Sequence, residues 1–293
     1  MKTYLDCYPC FVRQALDAAR FAGAGEAQQL QVMRDTLAMI RDLDPATTPP
    51  EIGDRIHRQV REMVDNLDPY KQVKDAATDE ALRLLPTLRA TIADAEDPLE
   101  MALRLAIAGN IIDFGYRPTY DLCATIEEVV SRPLAANDVV ALRARLHAAW
   151  ETGDSVLYLA DNAGETVFDR ALIETLAMPV IYAVKGGPVL NDAVWEDANR
   201  AGLESVATVI ETGADTPGTL LSRTSEGFRQ RFDATNIIIA KGQANYETLS
   251  PGDPRVFFVL KAKCPVIARD LGVETGGLIV KQGQAAVAQA DHA

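Results

Sequence analysis

The sequence predicts an α/β protein, with a helical N-terminal domain followed by a mainly parallel α/β/α sandwich domain that carries a polar site at its strand ends. Three observations predict it. From Met1 to about Trp150, apolar residues recur at helical spacing. From Ser155 onward, short β-branched apolar runs alternate with helical stretches, as in a parallel sheet covered on both faces. Four of those runs end in loops that combine glycine with acid, amide or lysine groups. The division is placed at residues 1–150 and 151–293.

In the first half, Phe11, Ala15 and Ala18 mark one helical face. Leu37, Met39, Ile40 and Leu43 mark a second, Leu82, Leu84, Leu85 and Leu88 a third, and Ala102, Leu105, Ile107 and Ala108 a fourth. Pro45, Pro49–Pro50, Pro69, Pro86, Pro98, Pro118 and Pro133 punctuate the region, which suggests a bundle of short helices. In the second half, strands are expected at Val156–Ala160, Val180–Val184, Val206–Ile210, Ile237–Ala240 and Val256–Leu260, with a last one at Leu278–Val280. Helices are expected over Glu165–Ala177 and Ala193–Ala201, and right-handed crossovers follow from the alternation. The tail from Gln282 to Ala293 has no pattern that would order it.

Composition narrows the function classes. The chain is 48% hydrophobic and 24% charged, ordinary for a globular protein, and its net charge is -13. That balance gives no general attraction to nucleic acid or to an anionic membrane. No signal peptide or long uncharged apolar run is present, so a cytoplasmic location is expected. No GxGxxG follows a strand and no GxxxxGK[ST] occurs, which removes dinucleotide and P-loop readings. Nothing selects an oligomeric state.

In an open parallel sheet, ligands bind beyond the carboxyl ends of the strands. Here those ends carry DNAGE (Asp161–Glu165), KGGPVLNDA (Lys185–Ala193), ETGADTPGT (Glu211–Thr219) and KGQANYETL (Lys241–Leu249). Asp161, Asn162 and Asp192 offer the hard oxygen donors that Mg²⁺ and Mn²⁺ prefer. Gly164 opens a helix whose amides suit an anion, and Lys185 and Lys241 are candidate phosphate contacts. Gly186, Gly187 and Gly242 allow close backbone approach. Each loop taken singly is also an ordinary turn or helix cap. Their succession after consecutive strands is what points to a single phosphate-handling site.

These loops in this order, with the N-terminal CYPC and RQAL and the segment AIAGNIIDFG (Ala106–Gly115), resemble the damage-control phosphatases, also known as domain of unknown function 89. The CYPC is similar to that of the prokaryotic branch with a paired-cysteine motif, and the resemblance runs from Cys7 to about Arg269. It implies a divalent-metal-dependent phosphatase, a hydrolase of metabolite damage control acting on sugar phosphates or damaged nucleotide or cofactor phosphates. It implies metal ligation by Asp161, Asn162 and Asp192, with Mn²⁺, Mg²⁺, Co²⁺ or Ni²⁺ as the cation. It also implies that Lys241, in a KG-x-x-N motif with Asn245, contacts phosphate. Ala244 stands where the family often has glycine. On the same resemblance, Asn110 and Asp113, at i and i+3 of one helix, are assigned to substrate binding over the competing core amide and helix cap. Glu165 joins the substrate-binding set with Gly164 and Lys185. Asp215 fits either a substrate-binding acid or a cap.

The expected chemistry is attack by metal-activated water, because no DxDxT-type Asp pair follows a strand as a covalent mechanism would want. Cys7 and Cys10 cannot close a zinc site alone, and structural packing competes with metal or redox roles for them. His57, His147 and His292 form no sequence cluster. Two rivals to the phosphatase remain. One is a phosphometabolite-binding protein without catalysis. The other is a methyltransferase, as assigned to a relative of the family, against which the single glycine of DNAGE argues.

Overall fold

A computed structural model describes residues 1–111, 122–250 and 252–284, with the side chains of residues 110, 111 and 122–125 excepted. Among the described residues, seven helices come first, interrupted by one strand. They are α1 (Cys7–Phe21), α2 (Glu26–Arg41), α3 (Pro49–Val64), α4 (Lys71–Ala93), α5 (Pro98–Ile111), α6 (Leu122–Ser131) and, after β1 (Leu134–Asn137), α7 (Val139–Thr152). The alternating part follows: β2 (Val156–Leu159), α8 (Thr166–Leu176), β3 (Val180–Val184), α9 (Trp195–Arg200), β4 (Thr208–Glu211), α10 (Glu226–Ala234), β5 (Ile238–Lys241), α11 (Gly242–Leu249), β6 (Val256–Lys261), α12 (Pro265–Leu271) and β7 (Leu278–Gln282).

Local signals explain several boundaries. Thr48 and Glu51 form a capping box at the start of α3, with the Thr48 amide donating to Glu51 Oε2 at 2.8 Å, and Pro49 and Pro50 occupy the first turn, where no donor is needed. Ser225 Oγ accepts from the Phe228 amide at the start of α10. Pro86, expected as a breaker, instead lies inside α4. The helix continues because Ala81, Leu85, Leu88 and Ile92 bury one face on both sides of it, and tertiary packing outweighs one lost hydrogen bond.

Among the described residues one sheet has the order β1-β7-β6-β5-β2-β3-β4, parallel except for the β6–β7 pair. The six expected strands are present within a residue or two at each end, and β1 is additional. From the central strand β2 the chain runs outward through β3 and β4, then returns to β5 on the other side and continues outward to β6 and β7. The topological switch point therefore lies between β2 and β5.

Strand alternation divides the core into two layers. Val156, Tyr158, Tyr182, Ile239 and Val259 pack against α4 to α9, while Leu157, Leu159, Ile238, Ala240 and Phe258 pack against α10 to α12. A third cluster, with Phe11, Ala15, Val32, Ile52 and Ile56, lies within α1 to α3. The division expected at residue 150 does not follow these cores. Helices α4 to α7 share the core of the sheet, and β1 pairs with β7, so among the described residues only α1 to α3 have a core of their own. No helix among the described residues is long and apolar enough to cross a membrane.

Candidate active site

Asp161 and Asn162 follow β2 after one intervening residue, Ala160, and Asp192 lies in the loop after β3. Backbone bonds join the two loops. The Ala193 amide donates to Asp161 O, the Ala163 amide donates to Asn191 O, both at 2.8 Å, and Asn162 and Asp192 form an isolated antiparallel bridge. Two residues before Asp192, Leu190 takes φ +50°, a left-handed conformation that costs a branched residue energy and has to be held by its surroundings. The loops after β3 and β4 are also joined, through the Gly186 amide and Ala214 O at 2.8 Å. A Cβ at Gly186 would stand 2.7 Å from Gly213 Cα, so this contact requires glycine.

The start of α11 closes on the same point. Gly242 has φ +79°, and a Cβ there would lie 1.8 Å from Asp161 Oδ2. The glycine after Lys241 thus makes room for the Asp161 carboxylate. Asn245 ties the two central strand ends together by donating to Ala160 O at 3.1 Å and Lys241 O at 2.7 Å, and it accepts from the Thr219 hydroxyl at 2.8 Å.

The carboxylates are buried, Asp161 at 6% exposure and Asp192 at 3%. Burial, then the charges of Glu165 and Asp192, push the Asp161 carboxyl well above the usual range, against Lys263 and Lys185. Burial raises Asp192 to about 6, with Lys185 opposing. The Lys185 ammonium lies 3.4 Å from Asp192 Oδ2 and also donates to Gly218 O. Beyond that ion pair, Asp192 Oδ2 has no hydrogen-bond donor among the described residues.

Lys241 departs from expectation. It is fully buried, and its ammonium donates to Glu165 Oε2 at 2.8 Å and Asp169 Oδ1 at 2.9 Å. Burial works against this charge, and the Asp169 and Glu165 carboxylates overcome it, so its pKa lies above that of ordinary lysine. Engaged with two carboxylates, it is not placed as the phosphate contact the motif implied. Glu165 is likewise internal: its Oε1 accepts from Asn162 Nδ2 at 2.5 Å. Asp215 meets Arg58 at 2.6 Å and Arg61 at 3.5 Å, both from α3. Gly164 lies in a short 3₁₀ turn, Ala163–Glu165, ahead of α8. The side chains of Asn110 and Asp113 lie outside the described residues.

Three residues of this site escaped the sequence reading. Asp169 on α8 accepts from the Tyr158 hydroxyl at 2.7 Å and the Tyr182 hydroxyl at 2.8 Å. A signal existed, because a tyrosine in an otherwise apolar buried strand needs a partner for its hydroxyl, and Asp169 is the acid one turn after Glu165.

Taken together, four buried carboxyl groups, those of Asp161, Glu165, Asp169 and Asp192, share two ammonium groups, those of Lys185 and Lys241. Hard oxygen donors, an Asp192 oxygen without a hydrogen bond and this surplus all fit a divalent cation. The third donor is the Asn162 amide; no set of three His, Cys, Asp or Glu side chains is grouped to hold a metal among the described residues. Cys7 and Cys10 at the start of α1 therefore belong to no such set.

The fold and site define a class of α/β proteins with a cluster of buried carboxylates beside the switch point of a mainly parallel sheet. The family model described as the damage-control phosphatase ARMT1-like domain matches residues 3–279, and the chain belongs to this family. A damage-control phosphatase of Pyrococcus horikoshii is 33% identical over 291 residues, covering 95% of this chain and 97% of that protein. An uncharacterized protein of Methanocaldococcus jannaschii is 35% identical, with 92% of each chain covered. A damage-control phosphatase of Archaeoglobus fulgidus is 31% identical over 78% of this chain and 81% of its own. The crystal structure of a domain of unknown function 89 protein from Pyrococcus horikoshii superposes with a TM-score of 0.87 at 31% identity, covering 97% of this chain and all of that one.

Proposed function

We propose that the protein is a phosphatase of small phosphorylated metabolites, a phosphoric monoester hydrolase that works with a divalent cation. Relatives named damage-control phosphatase support the coarse activity. The observation that carries the finer reading is the surplus of buried carboxylate at the joined ends of β2 and β3.

Asp161, Asn162 and Asp192 would hold the cation. When bound, it supplies Lewis-acid polarisation of phosphoryl oxygens and makes a water more acidic. The chain supplies the rest. Lys185 places a positive charge beside Asp192. The amide ends of α8 and α11 begin at the same strand ends and favour an anion there. The buried setting excludes bulk water, which strengthens each of these interactions. Sugar phosphates or damaged nucleotide and cofactor phosphates are the substrates proposed.

The test is a phosphomonoester screen on protein stripped of metal and reloaded with Mn²⁺, Mg²⁺, Co²⁺ or Ni²⁺, alongside Asp161→Ala and Asp192→Ala. Metal-dependent phosphate release should fall to background in both variants. Full activity in both would remove the metal assignment, and binding of phosphometabolites without release would favour the non-catalytic reading.

A further inference from the structure

We propose that Asp169 is a positioning residue of the candidate active site, acting through Lys241 and Glu165 to set the side-chain amide of Asn162. The proposal rests on the reading of Asp161, Asn162 and Asp192 as a cation site.

An asparagine that ligates a hard cation must offer its carbonyl oxygen, because the NH₂ end only donates. Here the NH₂ group of Asn162 is claimed by Glu165 Oε1 at 2.5 Å and Asp161 Oδ2 at 3.2 Å, which assigns the carbonyl oxygen to the cation. Glu165 is fully buried, and a buried carboxylate keeps its charge only with a partner. That partner is Lys241, which Asp169 holds from its other side. Asp169 is itself fixed by the hydroxyls of Tyr158 and Tyr182, whose rings stack with centroids 5.3 Å apart and whose backbones are directly paired on β2 and β3. A continuous run of charged hydrogen bonds thus leads from the rigid centre of the sheet to the amide of Asn162. Groups of this kind, one step removed from a metal, orient the ligands that touch it.

A buried charge cluster kept for stability alone is poorly explained here, since apolar residues of similar size commonly serve as well. A role in orienting Asn162 makes a different prediction, because it must appear in cation affinity. Titrating Mn²⁺ alone into metal-stripped protein, followed by calorimetry, reads this directly. Asp169→Asn should weaken Mn²⁺ binding about 10- to 100-fold. At saturating Mn²⁺ its KM for a phosphomonoester should stay near that of the unmodified protein. Tyr182→Phe, which keeps the ring and loses one hydrogen bond, should weaken Mn²⁺ binding about 2- to 10-fold. Folded Asp169→Asn with unchanged Mn²⁺ affinity overturns the proposal. Should Asp169→Asn fail to fold, Tyr182→Phe decides, and unchanged affinity there overturns it equally. Asp161→Ala separates the two levels. If it binds Mn²⁺ like the unmodified protein, the cation assignment falls and this proposal with it. If only Asp161→Ala loses Mn²⁺, the cation site stands and the positioning role falls.

Discussion

His57 shows how a single buried side chain sets a pH limit on the fold. It lies inside the α1 to α3 unit at 2% exposure, beside Tyr70, and its Nε2 has no hydrogen-bond partner among the described residues. Burial, assisted by the Arg61 charge, lowers its pKa to about 3. The folded state therefore holds His57 neutral while the unfolded chain protonates it near 6.5. Its contribution to stability is present above pH 6.5 and is lost as pH falls towards 3. His57→Phe keeps the ring and removes the titration, so the fall in urea midpoint between pH 6.5 and 3 should become shallower. An unchanged slope would show that another group governs acid sensitivity. Lys241 teaches a different lesson at the same scale. A lysine after an apolar strand looks identical in sequence whether it meets a phosphate or two buried carboxylates. Only the packing of α8 against β5 and β2 distinguishes them, and the sequence does not display it. The convergence of the Asp161–Asn162 and Asp192 loops, by contrast, followed from the strand pattern, because loops at strand ends are placed by the sheet.

Gly242 links strand β5 to helix α11. Gly242→Ala forces a side chain into φ +79° and against Asp161 Oδ2. The left-handed backbone costs roughly 1–2 kcal/mol and the crowding about 1–3 kcal/mol. A lower melting temperature together with weakened Mn²⁺ binding is expected, measured by thermal unfolding and calorimetry. If both stay unchanged, α11 does not need this close approach. The elements also show where sequence patterns ran out. Strand β1 reads LAAN, short and half exposed at the sheet edge, so it lacks the apolar run that marked the other six. Pro86 was overridden by the apolar face of α4, which no local rule weighs.

At the scale of the whole molecule, Lys74 joins the helical cover to the sheet. It lies on α4 with no exposed side-chain surface and meets Asp197 of α9 at 3.2 Å and Asp68 at 2.9 Å. Asp197 also accepts from the Val194 amide, so it holds the start of α9 just beyond the Asp192 loop. Lys74→Met leaves Asp197 buried without its cation and should cost about 3–5 kcal/mol. Adding Asp197→Asn should recover part of the loss, read from denaturant midpoints. A single variant as stable as the starting protein would mean that the two regions are held by apolar packing alone. The boundary placed at residue 150 had a similar origin. It followed the change in sequence pattern, whereas the cores follow which helices find the sheet, and α4 to α7 do.

The switch point between β2 and β5 carries one more consequence. Asp161 and Asp192 come from one contiguous stretch of chain, and Lys241 and Gly242 from another, and the two stretches join edge to edge where Leu157 to Leu159 meet Ile238 to Ala240. A chain severed in the exposed stretch around Arg223 would leave each fragment with an incomplete centre. Turnover by two such pieces expressed together would then report their reunion, and the molecule would serve as a split reporter of its own assembly.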